Sequence, residues 1–129
     1  MNIPDRLFAF HVDREARNIT IRLYGVNTDE VFADAVTALL DSEEYTQQNY
    51  TVLVDALEMT ASAVTADALF NQTTRIEKFT NRMAVVMRDG RGLGVAKIFE
   101  ICANATADKV AVFTHLDPAH DWLGLIRTP

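Results

Sequence analysis

Three short, almost unbroken apolar runs constrain this chain most: residues 50–56 (YTVLVDA), 83–87 (MAVVM) and 109–113 (KVAVF). Each is too short for a buried helix and rich in valine, which suits a strand covered on both faces. The segments between them carry helical spacing instead. Val31, Phe32, Ala35, Val36, Leu39 and Leu40 form one stripe. It is preceded by Thr28 as a helix N-cap and by Asp29 and Glu30, whose charges suit the helix dipole. Residues 65–80 predict a second helix with Leu69, Thr73, Ile76 and Phe79 or Thr80 on one face and Asn81 as its stop. A third, unusually apolar helix runs from the glycine turn to about Ala105. Strands that alternate with helices in this way imply a parallel sheet joined by right-handed crossovers.

The N-terminal part differs. Residues 7–13 (LFAFHVD) and 18–24 (NITIRLY) alternate in polarity across a four-residue polar connection, which predicts an antiparallel hairpin. Gly25 should end the second strand. At the other end, Asp117 and Pro118 predict the start of a short helix bearing Trp122 and Leu123, closed by Gly124. The expected fold class is therefore α/β. It is a single domain, 1–129, with a mixed, mostly parallel five-stranded sheet in the order β-β-α-β-α-β-α-β-α.

Composition narrows the functions. The formal charge is −6, with 12 Lys and Arg among 18 Asp and Glu, and the basic residues are scattered. Nucleic-acid binding needs clustered positive charge, so no nucleic-acid partner is expected. No apolar run approaches the length of a membrane span and the N-terminus lacks a secretory pattern, so neither membrane insertion nor export is expected. A single cysteine, Cys102, permits no internal disulfide and fits the cytoplasm. It lies well inside an apolar helix and reads as core filler.

Three constellations bear on chemistry. Gly90, Gly92 and Gly94 follow a strand and open a helix, so their amides could cradle an anion. The spacing G-x-G-x-G is neither the dinucleotide fingerprint nor a P-loop, and a tight, closely packed turn is the simpler reading. His11, His115 and His120 show no metal-ligand spacing, and no metal or cofactor is expected. Asp55, Glu58, Thr60, Ser62 and Thr65 fall in the expected loop after the central strand, at the end of the sheet where open α/β folds place ligands. There the hydroxyls of Ser62 or Thr65 could cap the next helix, and Asp55 and Glu58 could pair as acid and base.

The run Gly92-Leu93-Gly94-Val95-Ala96-Lys97-Ile98-Phe99-Glu100, the strand Lys109-Val110-Ala111-Val112-Phe113, and the closing Leu116-Asp117, Ala119 and Trp122-Leu123-Gly124 together resemble SpoIIAA-like proteins of the STAS-like superfamily. The resemblance spans nearly the whole chain and rests mostly on core positions. It implies kinship in fold with anti-sigma-factor antagonists, which are switched by phosphorylation of a serine at the start of the second helix, and with lipid-carrier domains. Thr60, Ser62 and Thr65 occupy the corresponding region, but the antagonists' Asp-Ser-Ser-Gly-like segment is replaced by Glu58-Met59-Thr60-Ala61-Ser62-Ala63.

The resulting expectation is a non-enzymatic regulatory or protein-interaction module of STAS-like type, with a protein partner or a second copy of the chain docking on the apolar third helix. The alternative is a carrier or sensor of a small apolar ligand or lipid, suggested by apolar residues beyond what one packed face needs: Phe70, Phe79, Val95 and Ile101. An enzyme built on Asp55, Glu58 and His115 ranks last.

Overall fold

In the computed structural model, which describes residues 8–90, 92–104 and 108–125, the apolar runs become neighbouring strands. The elements are β1 (Phe8–Asp13), β2 (Asn18–Asn27), α1 (Asp29–Leu40), a single helical turn α2 (Glu43–Thr46), β3 (Thr51–Ser62), α3 (Ala66–Ile76), β4 (Met83–Met87), α4 (Leu93–Ala103), β5 (Val110–Phe113) and α5 (Leu116–Leu123). The strands lie in the order β1-β2-β3-β4-β5. The first pair is antiparallel and the other three are parallel. The mixed, mostly parallel α/β sheet is thus as the sequence predicts, with the short α2 added between α1 and β3.

Sequential strand order has a geometric consequence. Every right-handed crossover steps the same way across the sheet, so α1, α3 and α4 all land on one face. That face holds the larger core, built on Ile19, Ile21, Leu23, Val52, Met59, Val85 and Phe99. Among the described residues, only α5 covers the other face, packing Ala119 and Leu123 on Leu53, Ala84 and Val86. Because the strand order never reverses, the sheet has no switch-point crevice of the kind that holds ligands in doubly wound folds.

Two strands run further than expected. β2 continues through Gly25 (φ +61°) to Asn27, and β3 continues past Ala56 to Ser62. Glu58, Thr60 and Ser62 therefore lie in a strand and not in a loop. The polar look of 58–62 is that of an amphipathic strand, with Met59 buried between exposed Glu58 and Thr60. Register shifts between Arg22 and Tyr24 and between Gly25 and Val26 mark where β3 carries extra residues.

Side chains set the other boundaries. α3 stops at Ile76, short of the predicted Thr80. Lys109, only 3% exposed, sends its ammonium to the carbonyls of Ile76, Glu77 and Phe79 at 2.9, 3.3 and 2.7 Å. A cation on the last carbonyls suits a helix C-terminus. Burial lowers its pKa, and Glu77 opposes that shift. Asn81 is no helix stop. Its amide donates to the carbonyls of Tyr45 (2.9 Å) and Tyr50 (2.8 Å), tying α2 to the start of β3. His115, not Asp117, is the N-cap of α5, which places Pro118 at the third helical position, still within the first turn that tolerates proline. The free edge of β5 is closed by α4: Glu100 accepts from the Val112 amide, and the Asn104 side chain bonds both polar groups of Val110. Such cover blunts an edge that would otherwise recruit another strand.

Candidate functional site

Inside the larger core, the helices and the sheet do not close completely. A cavity of about 80 Å³ lies between the inward faces of β2, β3 and β4 and the helices α1, α3 and α4. Its walls are aliphatic and aromatic. Phe32 of α1 and Phe99 of α4 meet edge to face, 5.7 Å between ring centres, and both line it. Among the described residues, none lining it carries a charge. Met59, Met83 and Met87 all line it, which is every methionine in the chain except the first residue. Methionine is the most adaptable apolar side chain, and its concentration here makes the wall deformable.

One end of the cavity is different. Asn27 and Ser62 are register partners at the carboxyl ends of β2 and β3, and both line the cavity. Asn27 Oδ1 and Ser62 Oγ are buried, and neither has a hydrogen-bond partner among the described residues. Most of the half-buried lining residues, including Phe32, Val64, Gly92 and Val95, sit at this same end. The cavity therefore comes nearest to solvent where α1, α3 and α4 begin.

Gly92 shapes that end. It is the left-handed N-cap of α4, with φ +97°. A Cβ there would stand 2.9 Å from Met59 Cε and 3.0 Å from Ser62 Cβ. The glycine is needed both for its backbone conformation and for close approach to β3. Gly90 is also left-handed, at φ +79°, but faces open space, and Gly94 lies exposed within α4. The glycine segment is thus the tight strand-to-helix turn that its spacing suggested, with close packing at Gly92 alone.

A neighbouring clasp holds the helix starts together. Asp29 accepts from the Thr65 amide at 2.7 Å and from the Thr65 hydroxyl at 2.8 Å. Thr65 in turn caps α3 by accepting from the Ala68 amide. Thr65 is thus the cap foreseen from the sequence, whereas Ser62 ends the strand half-buried, with its hydroxyl oxygen turned inside.

Neither family models nor the curated proteins contain a match to this sequence. Among solved structures, an uncharacterised protein of the DUF3478 family from Shewanella loihica PV-4, described as having a SpoIIAA-like fold, superposes with a TM-score of 0.59. The identity is 17%, over 95% of this chain and 98% of the other. The present chain has a SpoIIAA-like fold.

Within this SpoIIAA-like domain the candidate residues separate. Asp55 points to the sheet face opposite the cavity, where Arg22 Nε lies 3.4 Å from its carboxylate and the Leu57 amide donates to it. Glu58 is exposed beside Tyr24 on that face, and Thr60 is exposed. His115 is exposed, next to the Thr114 hydroxyl. None of Asp55, Glu58 or His115 lines the cavity. Among the described residues, no three His, Cys, Asp or Glu side chains could share a metal ion, and no helix is long and apolar enough to cross a membrane. Of the apolar residues singled out for a ligand, only Val95 lines the cavity. Phe70 and Ile101 are 63% and 71% exposed, and Phe79 packs against Tyr45 with the rings tilted at 52°. The cavity's polar pair includes Asn27, which lies beyond the end of β2 expected at Gly25.

Proposed function

We propose that this domain is a non-catalytic, cytoplasmic carrier or sensor of a small apolar molecule, held between the sheet and α1, α3 and α4. The observation that supports the reading is a deformable apolar cavity walled by three methionines. Pockets for small molecules are typically concave and apolar, with a few placed polar groups. The volume of about 80 Å³ is roughly half that of an apolar cavity known to accept benzene. A ligand of a few heavy atoms fits the resting walls, and a larger one needs the methionines to move. Native mass spectrometry of freshly purified protein tests the reading. A stoichiometric small molecule, lost on denaturation, supports it. A clean apo mass, together with no uptake of added small apolar compounds, contradicts it.

A second reading, a regulatory module that docks a protein, has its own support. Ile98 and Ile101 stand one turn apart on α4, and both are exposed. Replacing both with Glu should leave the fold intact and abolish partner capture or self-association. A wild-type protein that is monomeric and captures no partner contradicts this reading.

A further inference from the structure

Resting on the carrier reading, we infer the chemical class of its ligand: a neutral molecule with an apolar body and one hydroxyl group, the hydroxyl lodged between Asn27 and Ser62. The inference starts from two buried oxygens that have no hydrogen-bond partner among the described residues, Asn27 Oδ1 and Ser62 Oγ. Buried polar atoms are nearly always paired, because leaving one unpaired costs most of its lost hydration. These two are adjacent in register and open onto the same apolar cavity. A guest that satisfies them recovers that cost, and a guest that cannot do so does not.

The two oxygens specify the guest's polar end. An amide oxygen only accepts, so Asn27 Oδ1 requires a donor. A serine hydroxyl both donates and accepts. A guest hydroxyl fits the pair: it donates to Asn27 and accepts from Ser62. The rest of the wall sets the charge. No described lining residue is ionisable, and a carboxylate or ammonium buried without a counter-charge is strongly disfavoured. Fatty acids in their ionised form and zwitterionic headgroups are therefore excluded, and small alcohols and phenols are favoured. The three methionines accommodate variation in the apolar body, so selectivity resides in the hydroxyl end and not in the shape of the tail.

The probes are 1-butanol, 1-chlorobutane and butanoate, which share a short apolar chain and differ at the head. Binding is read from the ¹³C-labelled ε-methyl signals of Met59, Met83 and Met87 in wild type and in the Ser62→Ala and Asn27→Leu variants. The expected result is saturable binding of 1-butanol that weakens about tenfold in each variant, the loss of roughly one hydrogen bond. Binding of 1-chlorobutane should be unchanged or tighter in both, which also shows that the variants are folded, and butanoate should leave the methyl signals unmoved. If the variants bind 1-butanol as well as wild type does, or if butanoate binds best, the inference is overturned while the carrier reading stands. If none of the three probes shifts the methionine signals, the carrier reading itself fails.

Discussion

Replacing Gly92 with alanine tests whether the polar end of the cavity is built as described. Two costs arise there. A Cβ at φ +97° forces an L-residue into the left-handed region, about 1–2 kcal/mol. The new methyl would also lie 2.9 Å from Met59 Cε and 3.0 Å from Ser62 Cβ. The methionine methyl can swing away. Ser62 Cβ belongs to a paired strand and cannot, so an overpacking cost of about 1–2 kcal/mol is added. The expected total is about 2–4 kcal/mol. Gly90→Ala is the control, since Gly90 is also left-handed at φ +79° but a Cβ there meets nothing within 4 Å. It should cost only the backbone part, about 1–2 kcal/mol. Urea unfolding followed by far-ultraviolet circular dichroism gives both values, and each kcal/mol should also move Tm by roughly 4 °C in a chain of this size. Equal losses in the two variants, within about 0.5 kcal/mol, would refute the close approach of Gly92 to β3.

Three further expectations use the same measurements. Asn81→Ala removes both donors from the carbonyls of Tyr45 and Tyr50 and should cost about 2–3 kcal/mol, with no effect on ligand uptake. Burial raises the pKa of the Tyr45 phenol. The unfolded chain then loses this proton first, so the stability that Tyr45 contributes is complete below about pH 10 and declines as pH rises further. Tyr45→Phe should flatten that alkaline decline, read by urea unfolding across the pH series. In a double-mutant cycle, Asp29→Ala and Thr65→Ala should couple by about 1 kcal/mol through the hydrogen bond that the Thr65 hydroxyl donates to Asp29, and Thr65→Glu should destabilise by setting a carboxylate against Asp29.

The sheet was legible because apolar runs such as MAVVM have no soluble alternative to a covered strand. The ends of β2 and β3 were not. Glu58, Met59 and Thr60 read as a polar connection until Met59 is seen to turn inward. Asn27 keeps the inward parity of Ile19, Ile21 and Leu23, so the signal was present, but Gly25 suggested that the strand had stopped. Ser62 could not be placed by counting, because two register shifts in β3 break the alternation. The role of Lys109 at the end of α3 depends on carbonyls some 30 residues away, which no local pattern displays. The cavity had no sequence signature at all. It exists because methionines from two strands, Asn27, Ser62 and a glycine converge on a place where no side chain fills the space.

Xenon uptake tests the central claim most directly. A crystal pressurised with xenon should show one strong peak inside the helical layer, in van der Waals contact with Met59, Met87 and Phe99. A structure with no xenon there, because side chains have collapsed into the space, would contradict the account.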